Sequence, residues 1–316
     1  MHIVYFGSGA FGLPTLEALA QRHTIAAVVT QPDRKAGRGK ALTPTPIGAW
    51  AEANLPEVPI LKPERASEPK TRDAIRAHAA DRADLAWVII AFGQKLSPEL
   101  LADRFAVNLH ASLLPRWRGA APINAAILAG DRETGNSVIT LADRMDAGLV
   151  LGQSRRPVEP TQTAGDLHDL LAQDGPALVL DVLDRHAART LEPETQDESL
   201  VTLAKKMKKS DGRIDFRDDA DLCRCRVNGY SPWPGVTVAF RSEPLKFLRA
   251  DAEQRDGAAA PGTIIDPVRG LIACAPGTAL RAIEVQPPGK KPMPWADFAR
   301  GRTVEPGEQL ADPPAT

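Results

Sequence analysis

The residues best suited to chemistry follow a short apolar segment near the middle of the chain. Asn108 and His110 are two positions apart, and residues with this spacing on an extended strand point to the same side. The Asn108 carboxamide could donate a hydrogen bond to a developing oxyanion, and an imidazole can give or take a proton near neutral pH. Asp146 follows the next apolar segment, and its carboxylate could orient the imidazole and stabilise its positive charge. This combination is typical of acyl-group transfer.

The attacking group is expected to come from the substrate. No serine or cysteine of the sequence lies in the pattern of a nucleophile elbow, so the substrate's own amine is the simpler nucleophile. Ordinary structural roles stay open for both ionisable residues: His110 as a strand-end histidine with satisfied partners, and Asp146 as a helix or turn cap.

A layered α/β domain would position these residues. Short apolar segments alternate with amphipathic stretches over residues 1–190, which predicts a doubly wound, mostly parallel sheet with helices on both faces. Pro14, Pro46 and Pro98 lie where helices would begin, because a proline in the first turn loses no helical hydrogen bond. Ligands of such sheets bind beyond the carboxyl ends of the strands. The predicted strands cover residues 2–6, 25–30, 85–91, 105–108 and 136–141.

The character of the sequence changes after Lys209. Short apolar segments separated by Gly, Pro and Asp then predict a small β-barrel or sandwich; they cover residues 236–240, 245–248, 262–265, 271–274 and 279–283. Cys223 and Cys225 are expected on a helix without chemistry, and the tail from Glu305 is expected to be loosely held. We therefore expect a catalytic domain over residues 1–189, an exposed linker over 190–209 and a β domain over 210–316.

Composition excludes several classes of protein. The 316 residues include 39 Lys+Arg and 40 Asp+Glu, a formal net charge of -1, so no global basic field directs the chain to nucleic acid or membrane. With three cysteines and no ligand-like spacing of histidines, we predict no metal site. No apolar segment approaches the roughly 20 residues of a membrane span, and the chain starts with a strand-like segment instead of a leader. We expect a cytoplasmic monomer without membrane contacts.

A glycine-rich motif favours a different function. Gly7, Gly9 and Gly12 follow the first strand and precede the first helix, and Asp33 lies about twenty residues on, as in a dinucleotide-binding fingerprint. However, Asp33 belongs to a Gly- and Arg-rich loop and does not lie at the end of a strand. We therefore expect the glycines to serve a tight turn and close helix packing, with no NAD cofactor. An NAD-dependent oxidoreductase is the alternative, and an NADH titration distinguishes it.

The chain resembles the folate-dependent formyltransferases, and among them the enzymes that formylate methionyl initiator tRNA. Residues 108–123, Asn-Leu-His-Ala-Ser-Leu-Leu-Pro-Arg-Trp-Arg-Gly-Ala-Ala-Pro-Ile, match the signature of that family nearly residue for residue. The resemblance extends over almost the whole chain and includes residues 30–34, 36–40, 130–135, 214–216, 231–235 and 288–291.

This resemblance implies a fold, a reaction and a set of site residues. It implies a Rossmann-like formyltransferase domain followed by a β-barrel resembling an OB fold. The formyl donor would be 10-formyltetrahydrofolate, and the acceptor the α-amino group of methionyl initiator tRNA in translation initiation. Asn108, His110 and Asp146 would form the catalytic trio. The residues bordering the folate would be Ser112, Leu113, Leu114 and Pro115.

The sequence departs from the family near the expected site. Residues 142–148 read Ala-Asp-Arg-Met-Asp-Ala-Gly where the family usually has Asp-x-Gly-Leu-Asp-Thr-Gly, and Phe92 replaces the tyrosine of a usual Ala-Tyr-Gly. Neither departure alters the trio. Both affect the shape of the loops and the contacts with folate.

A basic segment is the expected contact with tRNA. Arg34, Lys35, Arg38 and Lys40 outnumber the single carboxylate of Asp33 on a Gly- and Pro-rich loop, a composition suited to a phosphate-binding arm that orders on contact. The resemblance agrees, and a plain solvated loop is the alternative. Four lysines within residues 205–209 could follow the tRNA backbone. Two further alternatives stay open: a small acceptor such as glycinamide ribonucleotide or an amino sugar, and a tRNA-binding module without catalysis.

Overall fold

The computed structural model describes residues 1–36, 41–78, 84–255, 257 and 259–311. The chain forms two compact units, each built from several stretches of sequence. The first unit comprises Met1–Arg118, Gly135–Arg155 and Asp169–Thr202, and the second comprises Gly119–Thr134, Arg156–His168 and Leu203–Thr316. The boundaries at residues 189 and 209 inferred from composition stay a prediction.

The elements up to residue 110 are strands interspersed with helices. They are β1 (His2–Gly7), α1 (Leu13–Arg22), β2 (Thr24–Val29), β3 (Arg34–Ala36), β4 (Ala41–Thr43), α2 (Pro46–Asn54), β5 (Ile60–Leu61), α3 (Pro69–Ala77), β6 (Leu85–Ile90), α4 (Pro98–Leu101) and β7 (Phe105–His110). The elements that follow, up to residue 204, are β8 (Arg118–Gly119), α5 (Pro122–Leu128), β9 (Glu133–Thr140), β10 (Val150–Pro157), α6 (Ala164–Ala187) and β11 (Leu203–Ala204).

One seven-stranded sheet organises the first unit, in the order β10-β9-β7-β6-β1-β2-β5. Strands β1, β2, β5, β6 and β7 pair in parallel, and β9 runs antiparallel to β7. The chain builds outward from β1 to β5 and then returns to the other side of β1 with β6. The predicted doubly wound, mostly parallel sheet is confirmed, and its switch point lies between β1 and β6.

Buried apolar side chains explain the central strands of this sheet, and prolines in the first turn explain where its helices begin. The side chains of Leu85–Ile90 are all buried, as expected for a strand covered on both faces, and Trp87 packs against Phe6 with ring centroids 5.0 Å apart. Helix α2 starts with Pro46, and the Thr45 hydroxyl accepts a hydrogen bond from the Gly48 N–H at 2.9 Å.

A curled antiparallel sheet dominates the second unit, in the order β14-β15-β16-β13-β12-β18, and it resembles an OB fold as expected. Its core contains Phe247, Leu280 and Trp295. The elements after residue 204 are α7 (Ala220–Gly229), β12 (Val236–Phe240), β13 (Glu243–Gln254), β14 (Ile264–Asp266), β15 (Leu271–Ala273), β16 (Thr278–Gln286), β17 (Met293–Pro294), α8 (Trp295–Arg302) and β18 (Leu310–Ala311).

The structure of this unit tests two smaller predictions, the helix that contains Cys223 and Cys225 and the loose tail from Glu305. Cys223 and Cys225 are buried on helix α7, which confirms the expected helix. The prediction of a loose tail is wrong as far as Ala311, because β18 pairs with β12, Leu310 is buried, and Glu308 binds the Arg241 guanidinium at 2.7 Å.

Candidate active site

His110 ends strand β7 and lies between two oxygen atoms. Its side chain is only 7% exposed. Nε2 is 2.9 Å from the main-chain carbonyl oxygen of Trp117, and Nδ1 is 3.6 Å from Oδ2 of Asp146. The first distance is that of a hydrogen bond, and the second is that of an ion pair. The structure therefore brings the predicted histidine and aspartate together.

Both ring nitrogens of His110 face an oxygen atom. A neutral imidazole has one N–H and one lone pair, whereas an imidazolium presents two N–H groups. The arrangement can therefore accommodate a ring that carries a positive charge.

Asn108 presents an open donor beside this ring. It lies on β7 opposite Ile139 of β9, and strand alternation directs its side chain to the same face as that of His110. Asn108 is half-buried, and within the described part of the chain its carboxamide takes part in no hydrogen bond. The amide is therefore available to an oxygen atom of a substrate.

The loop that carries Asp146 is tightly constrained. Asp146 has a left-handed backbone with φ of 55°. A Cβ atom at Gly148 would lie 1.7 Å from the carbonyl oxygen of Thr140, so only glycine fits there. The Leu149 N–H donates to the Thr140 hydroxyl at 2.9 Å. These contacts hold the loop against the end of β9 and keep the carboxylate near the imidazole.

Gln196 is the site residue that sequence reasoning missed. Its Nε2 donates to the carbonyl oxygens of Asp146 at 2.8 Å and Gly148 at 2.7 Å. Residues 190–199 were expected to be an exposed linker, and for Gln196 that expectation is wrong because the residue is only 7% exposed. A single polar residue among exposed neighbours has no periodic pattern that would predict its burial.

The four residues expected at the folate site divide into two pairs. Ser112 and Leu114 are buried, whereas Leu113 and Pro115 are partly exposed. The Ser112 hydroxyl donates to a carbonyl four residues on at 2.7 Å, and the Leu114 N–H donates to the Ser137 hydroxyl at 3.0 Å. The buried pair therefore shapes the loop after β7, and the other pair offers surface to a ligand.

In the glycine-rich loop after β1, main-chain N–H groups donate hydrogen bonds to other residues of the protein. The N–H groups of Ser8 and Gly9 both donate to the carbonyl oxygen of Ala91 at 3.3 Å. The Tyr5 hydroxyl donates to the Gly12 carbonyl at 2.7 Å, and a Cβ atom at Gly12 would lie 2.2 Å from that hydroxyl. Close packing against Tyr5 accounts for this glycine, which supports the structural interpretation of the motif.

The polar groups around this loop also have hydrogen-bond partners within the protein. Asp33, the candidate ribose-binding acid, accepts a hydrogen bond from Nζ of Lys62 at 2.7 Å. The carbonyl oxygen of Phe92 accepts from the Ser8 hydroxyl at 3.1 Å and from Nε2 of Gln31 at 2.9 Å. Each of these groups has a protein partner at this edge of the sheet.

The first two residues of the basic segment lie on a short strand. Arg34 and Lys35 lie on β3, which pairs antiparallel with β4, where sequence reasoning expected a loop. Both side chains are exposed, and the Arg34 guanidinium contacts the Glu64 carboxylate at 2.6 Å. Arg38 and Lys40 lie outside the described residues. The four lysines of residues 205–209 are also exposed.

Across residues 1–36, 41–78, 84–255, 257 and 259–311, no group of three or more His, Cys, Asp or Glu residues is arranged to hold a metal ion. No helix in these ranges is long and apolar enough to cross a membrane.

Comparison with known proteins decides the family. Residues 1–183, which include Asn108, His110 and Asp146, match the formyl transferase family. The chain belongs to the formyl transferase family. Residues 206–303 also match the C-terminal domain of formyl transferases. Each of the two units therefore contains residues that match formyl transferases.

Individual relatives agree with this assignment. The chain is 42% identical to the methionyl-tRNA formyltransferase of Methylococcus capsulatus, over 96% of this chain and 98% of that protein. It is 40% identical to the methionyl-tRNA formyltransferase of a Methylobacterium species, over 98% and 99%. The N-formyltransferase of Helicobacter canadensis, solved with folinic acid and dTDP-3-aminofucose, has the same fold, with a TM-score of 0.66 at 16% identity over 89% of this chain and 98% of that one.

Proposed function

We propose that this chain transfers a formyl group from 10-formyltetrahydrofolate to the α-amino group of methionyl initiator tRNA, the substrate of translation initiation. The observation that carries the proposal is the His110 imidazole, held between the Asp146 carboxylate and the Trp117 carbonyl beside the open Asn108 carboxamide. Full-length relatives that carry the name methionyl-tRNA formyltransferase support this acceptor.

The reaction begins with attack of the neutral α-amine on the formyl carbon. An α-amino group has a pKa near about 8, so a useful fraction is neutral at pH 7 without a strong base. Attack places negative charge on the formyl oxygen, and the Asn108 carboxamide donates a hydrogen bond to it. The bond between the formyl carbon and N10 of the folate then breaks, and the proton lost by the amine goes to N10 by way of water beside the Asp146 carboxylate.

His110 acts in this scheme through its positive charge. Its Nε2 is already bound to the Trp117 carbonyl and its Nδ1 faces Asp146, so the ring stabilises the nearby oxyanion electrostatically. Asp146 in turn stabilises the imidazolium. The structural alternatives for these two residues, a satisfied strand-end histidine and a helix or turn cap, do not account for the open Asn108 carboxamide beside them.

The folate is proposed to lie against the loop after β7. Leu113 and Pro115 supply its partly exposed surface, while Ser112 and Leu114 hold the loop in shape from beneath. A fold relative solved with folinic acid supports a folate at a site on this fold. NAD and metal ions have no part in the proposed reaction.

The tRNA is proposed to bind through phosphate contacts with Arg34, Lys35, Arg38 and Lys40, and along the lysines of residues 205–209. The exposure of Arg34 and Lys35 on the β3–β4 hairpin supports this assignment. The ion pair between Arg34 and Glu64 is no obstacle, because exposed pairs contribute about 0–1 kcal/mol and exchange readily for a phosphate. The enzyme is proposed to act as a cytoplasmic monomer.

One assay with three acceptors tests the reaction. Purified protein is given 10-formyltetrahydrofolate with methionyl initiator tRNA, with glycinamide ribonucleotide or with an amino-sugar nucleotide, and formylated product is measured. We expect transfer to the tRNA alone. Transfer to a small acceptor would retain the proposed chemistry but refute the proposed substrate, and absence of transfer to all three would refute the proposal.

The basic segment of Arg34, Lys35, Arg38 and Lys40, called the arm below, is tested separately. The test is the salt dependence of KM for tRNA. Arg38→Ala is expected to raise KM for tRNA, and to flatten the slope of log KM against log salt by about one unit, because one phosphate contact is lost. Lys70→Ala is a matched control, since Lys70 is an exposed cation on α3, away from the arm in sequence. Equal slopes for both variants would contradict the assignment of the arm.

A further inference from the structure

The segment from Gln196 to Thr202 contacts both groups that flank His110. It follows β10 and α6 in the chain and lies in the first unit, where sequence reasoning expected an exposed linker. One end of the segment binds the loop of Asp146, and the other end binds Trp117. The two residues whose oxygens face the imidazole are therefore both bound by a single segment of the chain.

On the Nδ1 side, Gln196 fixes the backbone on which the Asp146 carboxylate is mounted. Its two amide protons are both used, one by the carbonyl of Asp146 and one by the carbonyl of Gly148. Asp146 has a left-handed backbone, a conformation that non-glycine residues keep only when their surroundings hold them. If the two hydrogen bonds from Gln196 were removed, the loop would be held less firmly. The Asp146 carboxylate, which lies 3.6 Å from the His110 imidazole, would then be held less firmly as well.

On the Nε2 side, Thr202 fixes the backbone of Trp117. The Trp117 N–H donates to the Thr202 hydroxyl at 2.9 Å, and the next N–H, that of Arg118, donates to the Thr202 carbonyl at 2.9 Å. Trp117 is also left-handed, with φ of 62°. Its carbonyl oxygen is the atom that accepts from Nε2 of His110.

A buried guanidinium joins the two ends. Arg118 is 3% exposed, and its Nε donates to Oε1 of Gln196 at 2.9 Å while its Nη2 contacts Glu198 at 2.9 Å. The Glu198 carboxylate also binds Arg144 at 2.9 Å, on the same loop as Asp146. The guanidinium groups of Arg118 and Arg144 lower the pKa of Glu198.

We propose that Gln196 and Thr202 are positioning residues, which set the orientation of the His110 imidazole by holding the Asp146 loop on its Nδ1 side and the Trp117 carbonyl on its Nε2 side. Neither residue touches a substrate in this scheme. The kinetic part of the proposal rests on the proposed formyl transfer, and the spectroscopic part does not.

The kinetic test uses substitutions of matched size. Gln196→Met removes both amide donors, and Thr202→Val removes the hydroxyl that binds the Trp117 N–H. Each is expected to lower kcat on the order of ten- to a hundredfold, the effect of a small misplacement of reacting groups, with KM for folate and tRNA little changed. Thr202→Ser keeps the hydroxyl and is expected to retain the wild-type kcat. Ser199→Ala is the control within the segment, because among the described residues the Ser199 hydroxyl binds only Asp197, two residues earlier.

The spectroscopic test separates the two sides of the ring. In protein labelled with ¹⁵N at histidine, the His110 signals are assigned by comparison with His110→Ala. Gln196→Met is expected to shift chiefly the Nδ1 signal, and Thr202→Val chiefly the Nε2 signal, because each releases a different oxygen. Thermal unfolding of every variant establishes that the comparison is made on folded protein.

The outcomes distinguish this inference from the proposed function. If both variants are folded and match Ser199→Ala in kcat and in both ring signals, the positioning role is refuted. If the wild-type protein does not formylate methionyl initiator tRNA, the proposed function fails, while the side-specific shifts of the His110 signals still decide the positioning role.

Discussion

Two strand ends at the carboxyl edge of the same parallel sheet use their polar groups differently. In the glycine-rich loop after β1, the N–H groups of Ser8 and Gly9 are bound to Ala91. At the end of β7, the His110 imidazole is held by two oxygens, and the carboxamide of Asn108 on the same strand has no partner among the described residues. The loop after β1 binds its own donors, and the end of β7 leaves a donor for a ligand.

This difference explains why the more familiar motif is the less informative one. Glycines permit a backbone to approach a phosphate, but they permit equally an approach by a tyrosine from the same domain. Tyr5 fills the space beside Gly12 here, with its hydroxyl on the Gly12 carbonyl. A motif indicates chemistry only where the fold leaves its polar groups available.

The largest effect is expected at the end of β7. Asn108→Ala should lower kcat on the order of a hundredfold or more, about 3 kcal/mol of transition-state stabilisation, because it removes the donor to the oxyanion. The free energy of unfolding should change little, since the carboxamide has no described partner to lose. Steady-state formylation and urea denaturation measure the two quantities. A large loss of stability with an unchanged kcat would reverse the comparison.

A change in the loop after β1 should have the opposite signature. Gly12→Ala is expected to lower the free energy of unfolding by about 1–3 kcal/mol, because the new methyl group overlaps the Tyr5 hydroxyl, while the folded protein keeps its kcat. Removing the hydroxyl in Gly12→Ala/Tyr5→Phe should recover part of the loss. Strictly additive effects in the double variant would show that this overlap is not the cause.

A smaller loss of stability is expected at Ser8. Its hydroxyl accepts from the Gln31 N–H and donates to the Phe92 carbonyl, both at 3.1 Å, so Ser8→Ala removes two hydrogen bonds from the loop. Each contributes about 1 kcal/mol at most after exchange with water, and the expected loss is about 1–2 kcal/mol. Urea denaturation at neutral pH measures it. An unchanged stability would mean that water replaces the hydroxyl.

The smallest effect appears only at alkaline pH. Burial raises the pKa of the Tyr5 hydroxyl far above its ordinary value. The unfolded chain loses this proton near about pH 10 and the folded chain does not, so the Tyr5 contribution to stability is complete below that pH and declines above it, by at most about 1.4 kcal/mol per pH unit. Denaturation of wild type and Tyr5→Phe between about pH 9 and 10.5 should show the additional decline in the wild type alone. Parallel pH profiles would contradict it.

Most of the sheet could be predicted because its sequence pattern is local. Strand β1, predicted over residues 2–6, covers His2–Gly7, and β6, predicted over 85–91, covers Leu85–Ile90. Strand β10 was missed because it is an edge strand whose polar residues, including Gln153 and Arg155, break the apolar pattern. The β3–β4 hairpin was missed because its two strands are only three residues long.

The chemistry of the chain was determined by the sequence alone. The types and spacing of Asn108 and His110 already indicated acyl transfer, and residues 108–123 identified the family, because these features depend on residue identity and on the alternation of one strand. The availability of each group was decided only by the tertiary structure. Gln196 meets Asp146 across 50 residues and Trp117 meets Thr202 across 85, and no local periodicity records a contact between residues so far apart.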